Sequence, residues 1–409
     1  MKKASVVVSM IAAVLAAIIA ATVGGSTASA AVLEAKQSCG NATIAFTGPY
    51  TGPAASAGLD QRNWDREFLS NWNAGKPIPG VPKGFKRTKL KAVEADTALN
   101  PQLAATVAVQ LRSNKAILSV NGFSGSQENI AGGPILRRGG LSFVSGSATR
   151  ASLTDPSTPD GSVLKNGFFR RVVPTDKFQG ETDAAFVLKS LGVSSGDTVM
   201  TVDQAEAYSI PLISLITSQL EKAGVKVDRE SQAAAQTDFT SLANKAVGEK
   251  AKVVVLAGQV AANAQLFASQ LKVDGYTGKF LGTDGIFDSS TFKVPGSYIS
   301  SFSLDIHDVP VAAPFVAEFE KKFGKTISFG APSFIAVQMM AMGISNACAT
   351  GKGKTTRSAV RAAIGKVSIT NSLLGKPIAF QASGDVKGGV GFTIFQIGSD
   401  GSYNVVQKG

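Results

Sequence analysis

Residues 253–285 read VVVLAGQVAANAQLFASQLKVDGYTGKFLGTDG. The first four are apolar and mostly β-branched, a run too short for a helix and suited to a buried strand. Residues 261–271 predict a helix, and Phe280 and Leu281 a second strand that ends at the polar turn Gly282-Thr283-Asp284-Gly285. Strand, crossover helix and strand make one unit of a parallel sheet. The same rhythm extends upstream, with strands predicted over 198–202 and 225–227 and helices over 211–223 and 239–247.

The first half repeats it. A strand over 42–46 runs into the turn-rich Gly48-Pro49-Tyr50-Thr51-Gly52-Pro53. A helix with Trp64, Phe68, Leu69 and Trp72 follows, in which the rings at 64, 68 and 72 share one stripe, predicted to be core. Residues 76–87 read as a Pro/Gly/Lys-rich surface loop and 90–93 as a strand. Asn100-Pro101 opens a helix through Val109 and Leu111, with proline near the first turn, where its missing N–H costs little. Strands over 116–120 and 141–144 end at Asn121-Gly122-Phe123-Ser124-Gly125-Ser126 and Ser145-Gly146-Ser147-Ala148-Thr149. Apolar strands alternating with helices predict an α/β fold of parallel sheets covered on both faces. The chain's 409 residues suit two such doubly wound lobes better than one core.

Composition narrows the function. At 44% hydrophobic and 17% charged residues, the chain is globular rather than disordered. One histidine and two cysteines leave little room for a metal centre or a cysteine–histidine nucleophile, so neither metal nor cofactor is expected. The 41 Lys and Arg against 29 Asp and Glu give +12, which becomes +10 when Lys2 and Lys3 are removed. A nucleic-acid partner is not expected, because basic and aromatic residues do not alternate.

Lys2 and Lys3 precede an apolar run over 6–23, and Ala28-Ser29-Ala30 supplies small residues in an A-x-A arrangement. This predicts a secretory signal over residues 1–30, cleaved before Ala31. A membrane anchor is the competing reading, since the run of 18 residues is at the lower edge of a span. The run is Ala-rich, however, and the small-residue site follows closely. No later stretch approaches that apolar length, so a soluble exported protein is expected. Cys39 and Cys348, the only cysteines, are predicted to pair in an oxidising compartment.

Several motifs fail on their surroundings. Gly351-Lys352-Gly353-Lys354-Thr355-Thr356 suggests a phosphate loop, but Cys348 stands where the first glycine is needed, and it ends a helix rather than a strand. No G-x-G-x-x-G follows a strand, and there is no G-x-S-x-G turn. His307, alone in Asp305-Ile306-His307-Asp308, reads as a surface or loop residue. What remains is a set of neutral donors and one acid at strand ends, where open parallel sheets place ligands. Ser126, Ser147 and Thr149 offer hydroxyls on glycine-rich turns that could hold a carboxylate. Asp284 could accept from an ammonium group. No catalytic set emerges, and no reaction is expected.

These segments resemble the substrate-binding proteins of ABC importers of the branched-chain amino acid type, which have the type I periplasmic-binding fold. The landmarks fall in family order: the turn over 48–53, then Asp96-Thr97-Ala98-Leu99-Asn100-Pro101, Gly122-Phe123-Ser124-Gly125-Ser126-Gln127 and Ser145-Gly146-Ser147-Ala148-Thr149. Phe169-Arg170-Arg171-Val172-Val173-Pro174-Thr175-Asp176 matches a hinge crossing, with Gln179-Gly180 behind it. Gly282-Thr283-Asp284-Gly285 and Ser383-Gly384-Asp385-Val386-Lys387-Gly388 close the series.

The resemblance implies two lobes joined by hinge strands, the first over 39–172 and 300–376, the second over 173–299 and 377–409. It places a carboxylate clamp on Ser126, Ser147 and Thr149, with Ala148 among the ligand-binding residues, the ammonium acceptor on Asp284, a second-lobe aromatic wall on Tyr208 and a pocket aromatic on Phe329. Three positions depart from the family pattern: Ala57 and Gln259 where aromatics occur, and Gly146 where proline is usual. The implied function is capture of an amino acid, branched-chain or related, by a monomer in the periplasm and its delivery to a membrane permease. The alternatives are an exported ligand-sensing domain, or the same transport role for an aromatic carboxylate or amide.

Overall fold

The computed structural model describes residues 34, 36–302, 304–388 and 391–408. The export signal expected over residues 1–30 and its cleavage point lie outside them. In strand β1 (Thr43–Gly48) successive side chains point to opposite faces. Ile44 and Phe46 enter one apolar core, and Ala45 the other. β1 pairs in parallel with β2 (Lys91–Asp96) and β3 (Ile117–Asn121). β4 (Ser142–Ser145) and β5 (Phe169–Arg171) continue the sheet in parallel, giving the order β2-β1-β3-β4-β5.

The second sheet holds β6 (Thr198–Asp203), β7 (Lys226–Ser231), β8 (Val253–Ala257), β9 (Lys279–Gly282) and β10 (Tyr298–Ser301). These five are parallel, in the order β7-β6-β8-β9-β10, the pattern of the first sheet repeated. β11 (Thr393–Ile397) and β12 (Tyr403–Gln407) extend it antiparallel beyond β10, an addition that the strand–helix rhythm did not foretell. In β8, Val254 and Leu256 face one core while Val253, Val255 and Ala257 face the other. That is why this strand is an unbroken apolar run: both faces are covered.

The predicted aromatic stripe is core. Helix Ala55–Asn73 buries Trp64, Phe68 and Trp72; Trp64 stacks on Phe319 at 4.4 Å and meets Phe334 edge-on. Phe334 belongs to helix Gly330–Thr350, which is long and apolar enough to cross a bilayer, although 83% of its most apolar window is buried inside the protein. Two buried acids bind these helices together. Asp60 accepts from the Gly330 N–H at 2.7 Å and the Thr326 hydroxyl at 2.9 Å. Asp65 accepts from Asn121 Nδ2 at 2.6 Å and Ser333 Oγ at 2.7 Å. Burial pushes their carboxyls up, to about 7 for Asp60 and about 8 for Asp65.

Cys39 and Cys348 form the expected disulfide. It joins the end of the core helix to the described N-terminal segment, where Gln37–Ser38 pairs antiparallel with Lys354–Thr355. The phosphate-loop lookalike is the turn between them: the Gly353 carbonyl accepts the Cys39 N–H at 3.0 Å. His307 lies in a short surface turn, 2.6 Å from Asp305 Oδ1 and 3.0 Å from Glu320 Oε1.

Candidate functional site

Strand order reverses between β1 and β3 in one sheet and between β6 and β8 in the other. Loops on either side of such a point leave in opposite directions and open a crevice beyond the strands' carboxyl ends. The two crevices meet in one narrow cavity of about 30 Å³. Pro49, Ser124, Ser126, Ser147 and Thr149 reach it from the ends of β1, β3 and β4; Tyr208, Gln259 and Asp284 reach it from β6, β8 and β9. Phe329 lines it from the residue before the core helix, packed edge-on against Phe302. Of the residues expected from sequence, only Ala148 is not in the lining; its N–H donates to Ser145 Oγ at 3.0 Å and its carbonyl accepts from Arg171.

The wall next to the first sheet is made of neutral hydrogen-bonding groups. Ser126 is the first residue of helix Ser126–Arg138, so unpaired backbone N–H groups and the positive end of the helix dipole lie beside it. Gln61 ties the hydroxyls together. Its Nε2 donates to Ser147 Oγ at 2.9 Å, and its Oε1 accepts from Ser124 Oγ at 2.5 Å. Ser147 Oγ donates in turn to the Ser124 carbonyl at 2.9 Å. Gly146 allows this loop to settle on the core helix: a Cβ there would lie 2.8 Å from the Ser333 backbone. The departure from proline is therefore a close approach of two backbones.

Two separate sequence landmarks also converge at this wall. Asp96 Oδ1 accepts from the N–H groups of Tyr50 at 2.8 Å and Ala98 at 2.9 Å, and its Oδ2 from Thr51 Oγ1 at 2.6 Å. These bonds hold the carboxyl of Asp96 below its usual range despite partial burial. They also hold Ala98 and Leu99 at φ of 47° and 57°, which turns the chain so that Leu99 lines the cavity.

The opposite wall is acidic. Tyr208 Oη donates to Asp284 Oδ1 at 2.5 Å and approaches Thr283 Oγ1 at 2.8 Å. Burial pushes the Asp284 carboxyl up to about 6, while bonds from Tyr208 and nearby groups draw it back down. Burial and the neighbouring Asp284 charge push the Tyr208 phenol well above its usual range. Two contacts join the segments that carry the walls: Gln127 Nε2 donates to Gln259 Oε1 at 2.7 Å, and the Arg150 guanidinium donates to the Ala207 carbonyl. Neutral donors thus face a carboxyl across a narrow cavity.

The periplasmic binding protein family model matches residues 41–402. The chain belongs to this family. Its members are solute-binding proteins of the extracytoplasmic space, and this chain's fold is that of the branched-chain amino acid type. An "amino acid binding protein" of Pseudomonas aeruginosa is 24% identical over 318 residues, 76% of this chain and 80% of the relative. The branched-chain amino acid transporter substrate-binding protein LivJ of Streptococcus pneumoniae, solved with isoleucine, superposes with a TM-score of 0.74 at 19% identity, covering 90% of this chain and 99% of LivJ. A solute-binding protein of an ABC transporter from R. palustris, solved with benzoate, superposes at 0.72 with 16% identity, covering 89% of this chain and 95% of that one.

Sequence reading missed Gln61, Ser124 and Leu99. Gln61 had a signal. It lies four residues after Ala57 on the same helix, hence on the same face as a position already suspected of lining the pocket. Leu99 had none, because its side chain is aimed by a backbone conformation that only the Asp96 contacts enforce.

Proposed function

We propose that this periplasmic binding protein captures an amino acid as a zwitterion and delivers it to the permease of an ABC importer. The carrying observation is the contrast between the cavity's walls. Ser126, Thr149 and the helix N-terminus would receive the carboxylate, with Ser147 held in place by Gln61. Asp284, steadied by Tyr208, would receive the ammonium group. Phe329, Leu99, Ala57 and Gln259 would surround the side chain. The lobes would be 39–172 with 300–376 and 173–299 with 377–409, and the segments between the two sheets would act as hinges. A cavity of about 30 Å³ is far smaller than an amino acid, so the lobes must part for entry and close around the ligand. The permease would recognise the closed form, whose population the ligand raises.

An aromatic carboxylate such as benzoate would satisfy the neutral wall and leave Asp284 against an apolar ring. The acid therefore favours the amino acid. The test is a thermal-shift screen of the exported protein over the amino acids, benzoate and an aromatic amide, followed by calorimetry on the best hit. Stabilisation by one or more amino acids, and none by benzoate, is expected. Stabilisation by benzoate alone would overturn the zwitterion reading. Association of the liganded protein with its permease in proteoliposomes, driving ATP-dependent uptake, would separate transport from sensing.

A further inference from the structure

Helix Asp176–Ala185 starts directly behind the cavity, where the Asp176 N–H donates to the carbonyl of Thr149 at 2.9 Å. Asp176, Gln179 and Asp183 follow at helical spacing on one face, all 0–1% exposed. That face is poorly satisfied. Neither oxygen of Asp176 meets a hydrogen-bond donor, although the Thr149 hydroxyl is near enough to favour its charge. Gln179 Oε1 and Asp183 Oδ1 are also unpartnered. Ser300 of β10 accepts from Gln179 Nε2 at 2.9 Å and donates to Asp183 Oδ2 at 3.1 Å, and the Gln179 side chain also reaches Asp284.

The cations close by are committed elsewhere. Arg171 of β5 binds Asp385 at 2.8 Å, Thr154, and the carbonyls of Ala148 and Arg150. Arg150 binds Ser152 and the Ala207 carbonyl and lies 3.4 Å from Asp160. Among the described residues, no ion pair involves Asp176, Asp183 or Asp284. Asp284 and Tyr208 face the same region, and the charges of Arg171 and Arg150 act on Asp176 without pairing with it. Three buried carboxyls thus share one region with a phenol and without a direct counter-charge, and like charges so placed cannot all ionise.

We infer that in the ligand-free cleft Asp176, Asp183 and Asp284 share a proton, and that the ammonium group of an incoming amino acid takes its place. This rests on the reading of the cavity as an amino-acid site. The chemistry balances: one positive charge enters as one proton leaves to solvent, and no covalent bond of the ligand changes. Burial and the Asp284 charge raise Asp176 to about 7, with Asp284 at about 6, and the same causes push Asp183 well above its ordinary value. A bound cation lowers all three, so affinity should rise with pH through the range in which these carboxyls hold a proton.

Two measurements test this. Infrared spectroscopy of the ligand-free protein at pH 6 should show the band of a protonated buried carboxyl, weakened in Asp176→Asn. Calorimetric titration of L-leucine at pH 6, in buffers of different ionisation enthalpy, should show release of about one proton, and below pH 6 affinity should rise roughly tenfold per pH unit. 4-Methylpentanoate, leucine without its amine, should release none. If Asp176→Asn does not fold, the two measurements on the parent decide alone. Absence of the infrared band overturns the inference whatever binds, and so does L-leucine binding without proton release. A band present while no amino acid binds would instead overturn the amino-acid reading.

Discussion

The two walls of the cavity are built alike and charged differently. Each comes from loops at the carboxyl ends of a parallel sheet with the same five-strand order. The first wall uses hydroxyls, an amide and a helix N-terminus. The second uses Asp284, with Tyr208 beside it and the Asp176 and Asp183 carboxyls behind. One scaffold repeated twice therefore presents a donor surface and an acceptor surface. The difference lies in a few side chains on loops, where substitution leaves the packed strands untouched.

The sharpest way to break this contrast is to remove the acid. A charged hydrogen bond lost on burial costs roughly 1.5–3 kcal/mol, so Asp284→Ala should weaken an amino acid about tenfold to more than a hundredfold. Calorimetry should show little loss, or a gain, for a ligand with a carboxylate and no amine. Unchanged amino-acid affinity would make the wall's charge irrelevant to binding.

Gly146→Ala tests whether the donor wall depends on its backbone contact with the core helix. The added methyl meets backbone 2.8 Å away, and overpacking of this kind costs about 1–3 kcal/mol. A lower melting temperature together with weaker binding is expected. A stable variant with parental affinity would show that the loop can yield.

Thr149→Val asks how much one neutral donor matters. A backbone N–H at the same residue remains, so a loss of about 0.5–1.5 kcal/mol, roughly two- to tenfold in affinity, is expected by titration. A larger loss than Asp284→Ala produces would reverse the assignment of the two walls.

The smallest expected effect on that contrast comes from acids behind the walls that hold the frame. Asp60 and Asp65 titrate at about 7 and about 8 in the fold, against about 3.8 for their ordinary value. Near pH 5 the native state therefore holds protons that the unfolded chain has lost. Their contribution to stability is full below about pH 4 and is lost as pH rises towards 8. The ligand-free melting temperature, read by scanning calorimetry, should fall between pH 5 and 8. A rise over that range would mean these carboxyls ionise without penalty.

Much of this protein was written in local sequence. The apolar run of β8 announced a strand covered on both faces, because burial on two sides leaves no place for polar residues. The stripe of Trp64, Phe68 and Trp72 announced a core helix, and the strand-end turns announced Ser126, Ser147, Thr149 and Asp284, since open parallel sheets place ligands beyond the carboxyl ends of their strands. What local pattern did not contain was every contact that joins distant segments. Gln61 meets Ser147 across 86 residues, Asp96 holds Tyr50 across 46, and Gly146 lies against Ser333. The oxygens of Asp176 belong to the same class, because sequence shows an acid at a helix start and only the packed structure shows both oxygens buried without a formed hydrogen bond. Local periodicity records which face is buried; the partner on that face is set by how the whole chain closes.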